Sequence, residues 1–86
     1  MKSILNNLLI VEDNSFIGKN IINAVKEVSS INSISLTESL HEAISILENN
    51  HFEIVILDLK LPDGNGIQLL KLLKDKKIET KVLFFL

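Results

Sequence analysis

The apolar residues of this chain follow two kinds of pattern, short continuous runs that are typical of β-strands and a spacing of three to four residues that is typical of α-helices. Four apolar-rich runs predict β-strands, near residues 7–11, 32–37, 53–58 and 81–85. Apolar residues at helical spacing predict three helices between these runs, near residues 14–28, 39–49 and 65–76. Strands that alternate with helices are typical of an α/β fold, in which a parallel sheet with right-handed crossovers has helices on both faces.

The predicted helices carry the apolar stripes that packing on a sheet requires. The stripe of the first helix, expected to lie on the sheet, comprises Ile17, Ile21, Ala24, Val25 and Val28. The second helix opens with a capping-box pattern from Ser39 to Glu42 and ends at Asn49–Asn50. Its buried residues are expected to be Leu40, Ala43, Ile44 and Leu47. The third helix has an apolar side formed by Ile67, Leu70 and Leu73. Leu69 and Leu72 widen this side.

Two of the apolar runs end abruptly in carboxylates. Leu8–Val11 leads into Glu12 and Asp13, and Ile54–Leu57 leads into Asp58 ahead of a Pro-Asp-Gly turn. Four consecutive apolar residues without polar alternation suit a strand that is buried on both faces. Because the ligand site of an open α/β sheet lies beyond the carboxyl ends of its strands, Asp58 has the position of a functional residue.

If these two strands are parallel neighbours, Glu12, Asp13 and Asp58 converge at one edge of the sheet. Such crowding of carboxylates is unfavourable unless protons or a cation neutralise it. Magnesium takes oxygen ligands, keeps several waters, and typically combines one or two carboxylates with phosphate oxygens. The residues therefore predict a magnesium-assisted phosphate site.

Each acidic segment also has a simpler structural explanation. Glu12 and Asp13 would simply begin a helix, since acids are favourable at helix N-termini, and Asp13 or Asn14 would be its N-cap. Asp58 would be an ordinary strand-ending residue before the turn at Pro62–Gly64. The joint occurrence of the two segments, separated by a helix, a strand and a helix of suitable length, favours the functional interpretation.

Leu8–Asn14 and Ile56–Gly66 together resemble two motifs of the receiver domain of bacterial two-component response regulators, and the resemblance extends over nearly all of the chain. It implies a flavodoxin-like parallel α/β fold and a signalling module rather than an enzyme. It also implies that Asp58 accepts a phosphoryl group from a sensor histidine kinase or a phosphotransfer protein.

The same resemblance implies a set of magnesium ligands. They would be Glu12, Asp13, Asp58 and the backbone carbonyl of Lys60.

Lys60 also argues against an aspartate-based phosphatase, because such enzymes usually have a second Asp two residues after the first. A dinucleotide-binding fold is set aside because no G-x-G-x-x-G follows the first predicted strand.

The chain departs from the family pattern after its fourth predicted strand. The family has five strands and five helices, so the last strand and the last two helices would be lacking. Leu86 stands where the family has a Ser or Thr hydroxyl, and the family's Lys at the end of the fifth strand would fall beyond the chain. The alternative function is therefore a degenerate or fragmentary receiver that acts as a phosphorylation-independent interaction or dimerisation module.

This departure also has a consequence for packing. Val82–Leu86 would be an exposed apolar edge strand, and the first helix would leave apolar area uncovered. A homodimer that pairs the fourth strands across a two-fold axis, or that exchanges elements, would cover these surfaces. A fragment cut from a longer regulator is the competing explanation.

Composition and charge narrow the remaining choices. The chain has 86 residues, is 47% hydrophobic, carries a formal charge of −2 and contains no cysteine. These values predict one cytoplasmic domain over residues 1–86, without disulfides or thiolate metal sites. No run is long enough to span a membrane, and the nine basic residues form no concentrated face for nucleic acid. His41 and His51 have no metal partner at a recognised spacing and are expected to be exposed.

Overall fold

The structure, a computed structural model, describes residues 3–85. These residues contain six strands and three helices. The strands are β1 (Ser3–Val11), β2 (Ser29–Thr37), β3 (Ile54–Asp58), β4 (Lys60–Leu61), β5 (Gly64–Asn65) and β6 (Lys81–Phe85). The helices are α1 (Ser15–Val28), α2 (Leu40–Asn49) and α3 (Gly66–Asp75). All four predicted strands and all three predicted helices are present, and β1 and β2 begin earlier than the sequence pattern indicated.

The four longer strands form one parallel sheet in the order β2-β1-β3-β6. β1 therefore lies between β2 and β3, and Val11 at its carboxyl end is in register with both Thr37 and Leu57. The two short strands pair separately as an antiparallel hairpin after β3, with Lys60 opposite Asn65. This hairpin contains the turn that the Pro-Asp-Gly sequence predicted.

Each helix begins after a polar residue that caps its first turn. Asn14, Ser39 and Asn65 are the N-caps of α1, α2 and α3, and the three predicted helices started at these same residues. Their side-chain oxygens accept hydrogen bonds from first-turn backbone amides at 2.8 to 3.1 Å. At Asn65 the cap is reciprocal, because the Gln68 side chain accepts from the Asn65 amide at 2.9 Å.

The main core lies on the face of the sheet that α2 and α3 cover. Strands, helices and hairpin all contribute to it, through Leu9, Val11, Leu40, Ala43, Leu47, Phe52, Val55, Leu57, Leu61, Leu69 and Leu73. On the other face α1 approaches the sheet closely, since a Cβ at Gly18 would lie 3.0 Å from the side chain of Leu36. Leu36 is in register with Ile10, whose side chain alternates with those of the core face. Helices thus cover both faces, as the predicted parallel α/β fold requires.

The apolar stripe predicted for α1 is only partly buried, which corrects the expectation that all of it packs on the sheet and agrees with the expectation that α1 leaves apolar area uncovered. Ile21 and Val25 are half-buried, and Ala24 is exposed. Ile17 and Val28 are 39% and 66% exposed. Within residues 3–85, α1 contacts β1 and β2 while α2 and α3 lie on the opposite face, so no described helix packs beside this stripe.

The apolar side predicted for α3 is confirmed at Leu69 and Leu73 and corrected at Ile67. Gly66, Leu69 and Leu73 are its buried residues, whereas Ile67 is 45% exposed and Leu70 is half-buried. A Cβ at Gly66 would lie 2.9 Å from a backbone carbonyl oxygen at the end of β3, so the start of α3 is seated against that strand. This contact sets the rotation of the helix and directs Leu69 inward.

The corrected face of α3 predicts unequal effects of two substitutions on stability. Leu69→Ala removes a fully buried side chain and should lower the free energy of unfolding by about 2–5 kcal/mol. Ile67→Ala, on the same helix, should change the free energy of unfolding by less than about 1 kcal/mol because its side chain is half in solvent. Urea unfolding of both variants checks this, and equal losses would contradict the orientation of α3.

Candidate functional site

The pairing of β1 with β3 brings three carboxylates together at one edge of the sheet. Val11 and Leu57 are in register, so Glu12 and Asp13 leave β1 at the level where Asp58 ends β3. Carboxylate oxygens of Glu12, Asp13 and Asp58 all lie within 4.8 Å of one another. The convergence that the sequence predicted on the assumption of parallel neighbours is confirmed as geometry.

The three acids differ in their exposure to solvent. Glu12 is only 2% exposed, Asp58 is half-buried and Asp13 is exposed. The Glu12 amide donates to the carbonyl oxygen of Thr37 at 2.9 Å, and its Oε2 accepts from the Asp13 amide at 3.1 Å. Glu12 is therefore held inside the protein, and the other two carboxylates face the open edge of the sheet.

The segment after Asp58 folds back toward the end of β3. The Lys60 amide donates to Asp58 Oδ1 at 3.1 Å, and the Gly66 amide donates to the carbonyl oxygen of Leu59 at 2.9 Å. Gly66 has a steric reason to be glycine, because its Cβ would meet the Asp58 carbonyl oxygen at 2.9 Å. Lys60 is thereby placed beside the phosphoacceptor candidate, and the role of its backbone carbonyl as a metal ligand stays a prediction.

The electrostatics of the site are unfavourable for three ionised acids. The pKa of Glu12 is raised from 4.5 to about 7, chiefly by burial. A hydrogen bond with Asp58 and repulsion from the charges of Asp58 and Asp13 contribute to the same rise, and the hydrogen bond from the Asp13 amide opposes it. A proton or a cation that neutralises part of this charge therefore stabilises the folded protein.

The donor atoms present fit a hard divalent cation. Three carboxylates supply oxygen ligands only, and magnesium prefers oxygen ligands and retains several waters. Asp13 is exposed and Asp58 is half-buried, so the remaining coordination positions are open to water or to a phosphoryl group. The residues that would hold such an ion are Glu12, Asp13 and Asp58.

Thr37, Glu42 and Asp63 make hydrogen bonds between elements that the sequence did not predict. Thr37 Oγ1 donates to Glu42 Oε1 at 3.1 Å, so Glu42 does not complete the capping box predicted for it. The Asp63 carboxylate accepts from the backbone amides of Leu40 and His41 at 2.8 and 2.9 Å. The available signals were a polar residue at the end of β2 and an acid in a turn, and neither pattern identifies a partner on another element.

Other sequence expectations have simple outcomes. His41 and His51 are both exposed, as expected. The N-cap explanation holds for Asn14 and is compatible with Asp13 belonging to the acidic cluster. Leu86, expected in place of the family's hydroxyl, lies outside the described residues. Across residues 3–85, no helix combines the length and the apolar character needed to cross a membrane.

The raised pKa of Glu12 predicts a pH dependence of stability without divalent cations. Between pH 4.5 and about 7 the folded chain binds more protons than the unfolded chain, so the free energy of unfolding falls as pH rises through this window. Glu12→Gln should remove this loss and stabilise the chain by on the order of 2 kcal/mol near pH 8. Urea unfolding with a chelator near pH 5 and pH 8 measures the difference, and parallel pH profiles for both proteins would contradict it.

A family model for the response regulator receiver domain matches residues 8–85. The transcriptional regulatory protein CiaR of Streptococcus pneumoniae is 32% identical over 77 residues, which are 88% of this chain and 33% of CiaR. The transcriptional regulatory protein MalR of Bacillus subtilis is 30% identical over 64 residues, which are 74% of this chain and 27% of MalR. The chain thus spans about a third or less of the length of these curated relatives.

Solved structures agree with the sequence relatives. The MaeR response regulator bound to beryllium trifluoride is 30% identical, with a TM-score of 0.88 over 94% of this chain and 66% of that chain. The non-phosphorylated receiver domain of HemR from Leptospira biflexa is 29% identical, with a TM-score of 0.77 over 92% of this chain and 62% of that chain. Sequence, fold and the placement of the acidic residues lead to one conclusion: the chain belongs to the response regulator receiver domain family.

Proposed function

We propose that this chain accepts a phosphoryl group on Asp58 in two-component signal transduction, in a reaction that depends on Mg²⁺. One observation carries the proposal: the carboxylates of Glu12, Asp13 and Asp58 meet at the carboxyl edge of the paired strands β1 and β3. The proposed metal ligands are these three side chains together with the backbone carbonyl of Lys60. Membership of the receiver family supports the assignment of signalling rather than metabolic chemistry.

The proposed chemistry is a phosphoryl transfer between two side chains. A carboxylate oxygen of Asp58 attacks the phosphorus of a phosphohistidine as the P–N bond breaks, and the histidine nitrogen keeps the electron pair. The product is an acyl phosphate on Asp58. Bound magnesium would neutralise charge on the phosphoryl oxygens, and most of the rate acceleration in such transfers comes from positioning and electrostatic stabilisation.

The residues of this chain have distinct parts in that reaction. The Lys60 amide donates a hydrogen bond to Asp58 Oδ1 and so helps to orient the attacking carboxylate. Glu12 is buried and held by Thr37, which gives the ligand set one fixed member. Asp13 is exposed, so the approach to the site is from solvent.

The open edge of the sheet suits a phosphoryl donor carried by another protein. Phe16 at the start of α1 is 72% exposed and Ile67 at the start of α3 is 45% exposed, so apolar side chains follow both acidic segments. A sensor histidine kinase or a phosphotransfer protein is the proposed donor. The absence of cysteine from the chain is compatible with the cytoplasm as the proposed location.

A second copy of the chain is a further proposed partner. β6 lies at one margin of the described sheet, where Leu83 and Phe84 are 55% and 38% exposed. Two such strands pairing across a two-fold axis would satisfy their backbone groups and cover these side chains. The alternative of a purely phosphorylation-independent interaction module is less well supported, because the three acids of the phosphoacceptor site are assembled.

Phosphorylation of Asp58 predicts a simple mass-spectrometric result. With Mg²⁺ and a small acyl-phosphate donor, the wild-type chain should gain one phosphoryl adduct in native mass spectra, and Asp58→Asn should gain none. Asp75→Asn, an exposed acid at the end of α3, is the matched control and should be phosphorylated like the wild type. An adduct that persists in Asp58→Asn, or its absence from the folded wild type, would refute the proposal.

Dimerisation through β6 predicts that a charge at Leu83 weakens self-association. Leu83→Lys should raise the dimer dissociation constant about tenfold or more, because a lysine in the interface must be desolvated. Ile67→Lys, at a similarly exposed apolar position on α3, should leave the dimer intact. Sedimentation velocity over a range of protein concentrations measures both, and a wild-type chain that stays monomeric at high concentration would exclude this dimer.

A further inference from the structure

Asp63 joins two parts of the fold that are far apart in sequence. Its Oδ1 accepts from the Leu40 amide at 2.8 Å and its Oδ2 accepts from the His41 amide at 2.9 Å. Ser39 Oγ accepts from the Glu42 amide at 3.1 Å, so the first three amides of α2 all have side-chain acceptors. The amides of His41 and Leu40 also lower the pKa of Asp63, which keeps its carboxylate ionised at neutral pH.

On one side, Asp63 belongs to the hairpin that carries Lys60. The hairpin is fixed at its base, where the Lys60 amide binds Asp58 Oδ1 and the Gly66 amide binds the Leu59 carbonyl. Its tip, between Leu61 and Gly64, is fixed by Asp63. Releasing the tip would therefore loosen β4, the strand that contains Lys60, whose backbone carbonyl is a proposed metal ligand.

On the other side, the start of α2 is connected to Glu12. Thr37 Oγ1 donates to Glu42 Oε1 at 3.1 Å, and the carbonyl oxygen of Thr37 accepts from the Glu12 amide at 2.9 Å. Asp63 thus links the Asp58 side of the acidic cluster to the Glu12 side through short hydrogen-bonded steps. The two ends of this connection are proposed ligands of the same ion.

We propose that Asp63 is a positioning residue for the metal site: by binding the amides of Leu40 and His41, it holds the hairpin with Lys60 at a fixed distance from Glu12. The inference rests on the proposed function, because it concerns the ligands assigned there. Magnesium demands near-ideal octahedral geometry, so a small movement of one ligand lowers its affinity. Residues that orient metal ligands typically alter metal affinity 10- to 100-fold when they are replaced.

The test is calorimetric titration of the full chain with Mg²⁺ alone. Asp63→Ala should raise the Mg²⁺ dissociation constant about tenfold or more. Asp63→Asn keeps one acceptor oxygen and should fall between Asp63→Ala and the wild type. In metal-free protein, Asp63→Ala should also speed hydrogen exchange at the Gly66 amide, whose bond to Leu59 closes the base of the hairpin.

Two control variants separate positioning from stability and from charge. Ser39→Ala removes the other cap of α2 and should lower the urea midpoint without changing Mg²⁺ affinity. Glu79→Ala removes the same charge from an exposed position just before β6, at the amino-terminal edge of the sheet, and should leave Mg²⁺ affinity unchanged. An effect of Ser39→Ala equal to that of Asp63→Ala would reduce Asp63 to a helix cap.

The outcomes also separate this inference from the proposed function. Unchanged Mg²⁺ affinity in folded Asp63→Ala would overturn the role of Asp63 while leaving phosphorylation of Asp58 intact. A wild-type chain that binds Mg²⁺ but gains no phosphoryl adduct would overturn the proposed function, and the affinity series would still decide the role of Asp63. A wild-type chain that binds no Mg²⁺ would overturn the role of Asp63.

Discussion

Parallel pairing of β1 with β3 is the constraint on which the acidic site depends. The side chains of Val11 and Leu57, which are in register at the end of this pair, are both fully buried. A slip of one residue would move every side chain of a strand to the opposite face, so the packing of Val11 and Leu57 in the core beneath α2 and α3 opposes it. The same register sets the position of the residues that follow, and this is why Glu12, Asp13 and Asp58 meet.

The convergence of three acids has an electrostatic cost, so the stability of the folded chain depends on protons or cations that neutralise them. Glu12 is buried next to two other acids, and its raised pKa shows that the folded protein tolerates its charge poorly. The apolar core beneath the site offsets this cost. A proton or a divalent cation that binds the cluster stabilises the folded chain, because it binds the folded chain more tightly than the unfolded chain. Ligand binding and fold stability are therefore linked through Glu12.

The two faces of the sheet are unequally covered. α2 and α3 close one face over a continuous core, whereas α1 leaves Ile17 and Val28 exposed on the other. Leu83 on β6 is also exposed at the margin of the sheet. The chain spans about two thirds of the length of the solved MaeR and HemR structures to which it is similar.

Local sequence was sufficient to predict the elements and the acids that end them. Helical spacing and uninterrupted apolar runs are properties of neighbouring residues, and so are the caps at Asn14, Ser39 and Asn65. The acidic ends of β1 and β3 could be predicted in the same way, but their convergence rested on the assumption that the two strands are neighbours, which the strand order of the sheet supplies. The resemblance to receiver domains, which rests on those same two segments, is confirmed.

Tertiary structure decided which face of α3 is buried, where Asp63 bonds, and how deeply Glu12 lies. Leu69 rather than Ile67 points inward because Gly66 is seated against the end of β3. Asp63 reads as a turn residue in the sequence, yet its partners are amides at Leu40 and His41. Periodicity reports what each segment can bury, but contacts between segments distant in sequence choose among the possibilities, and no local pattern contains them.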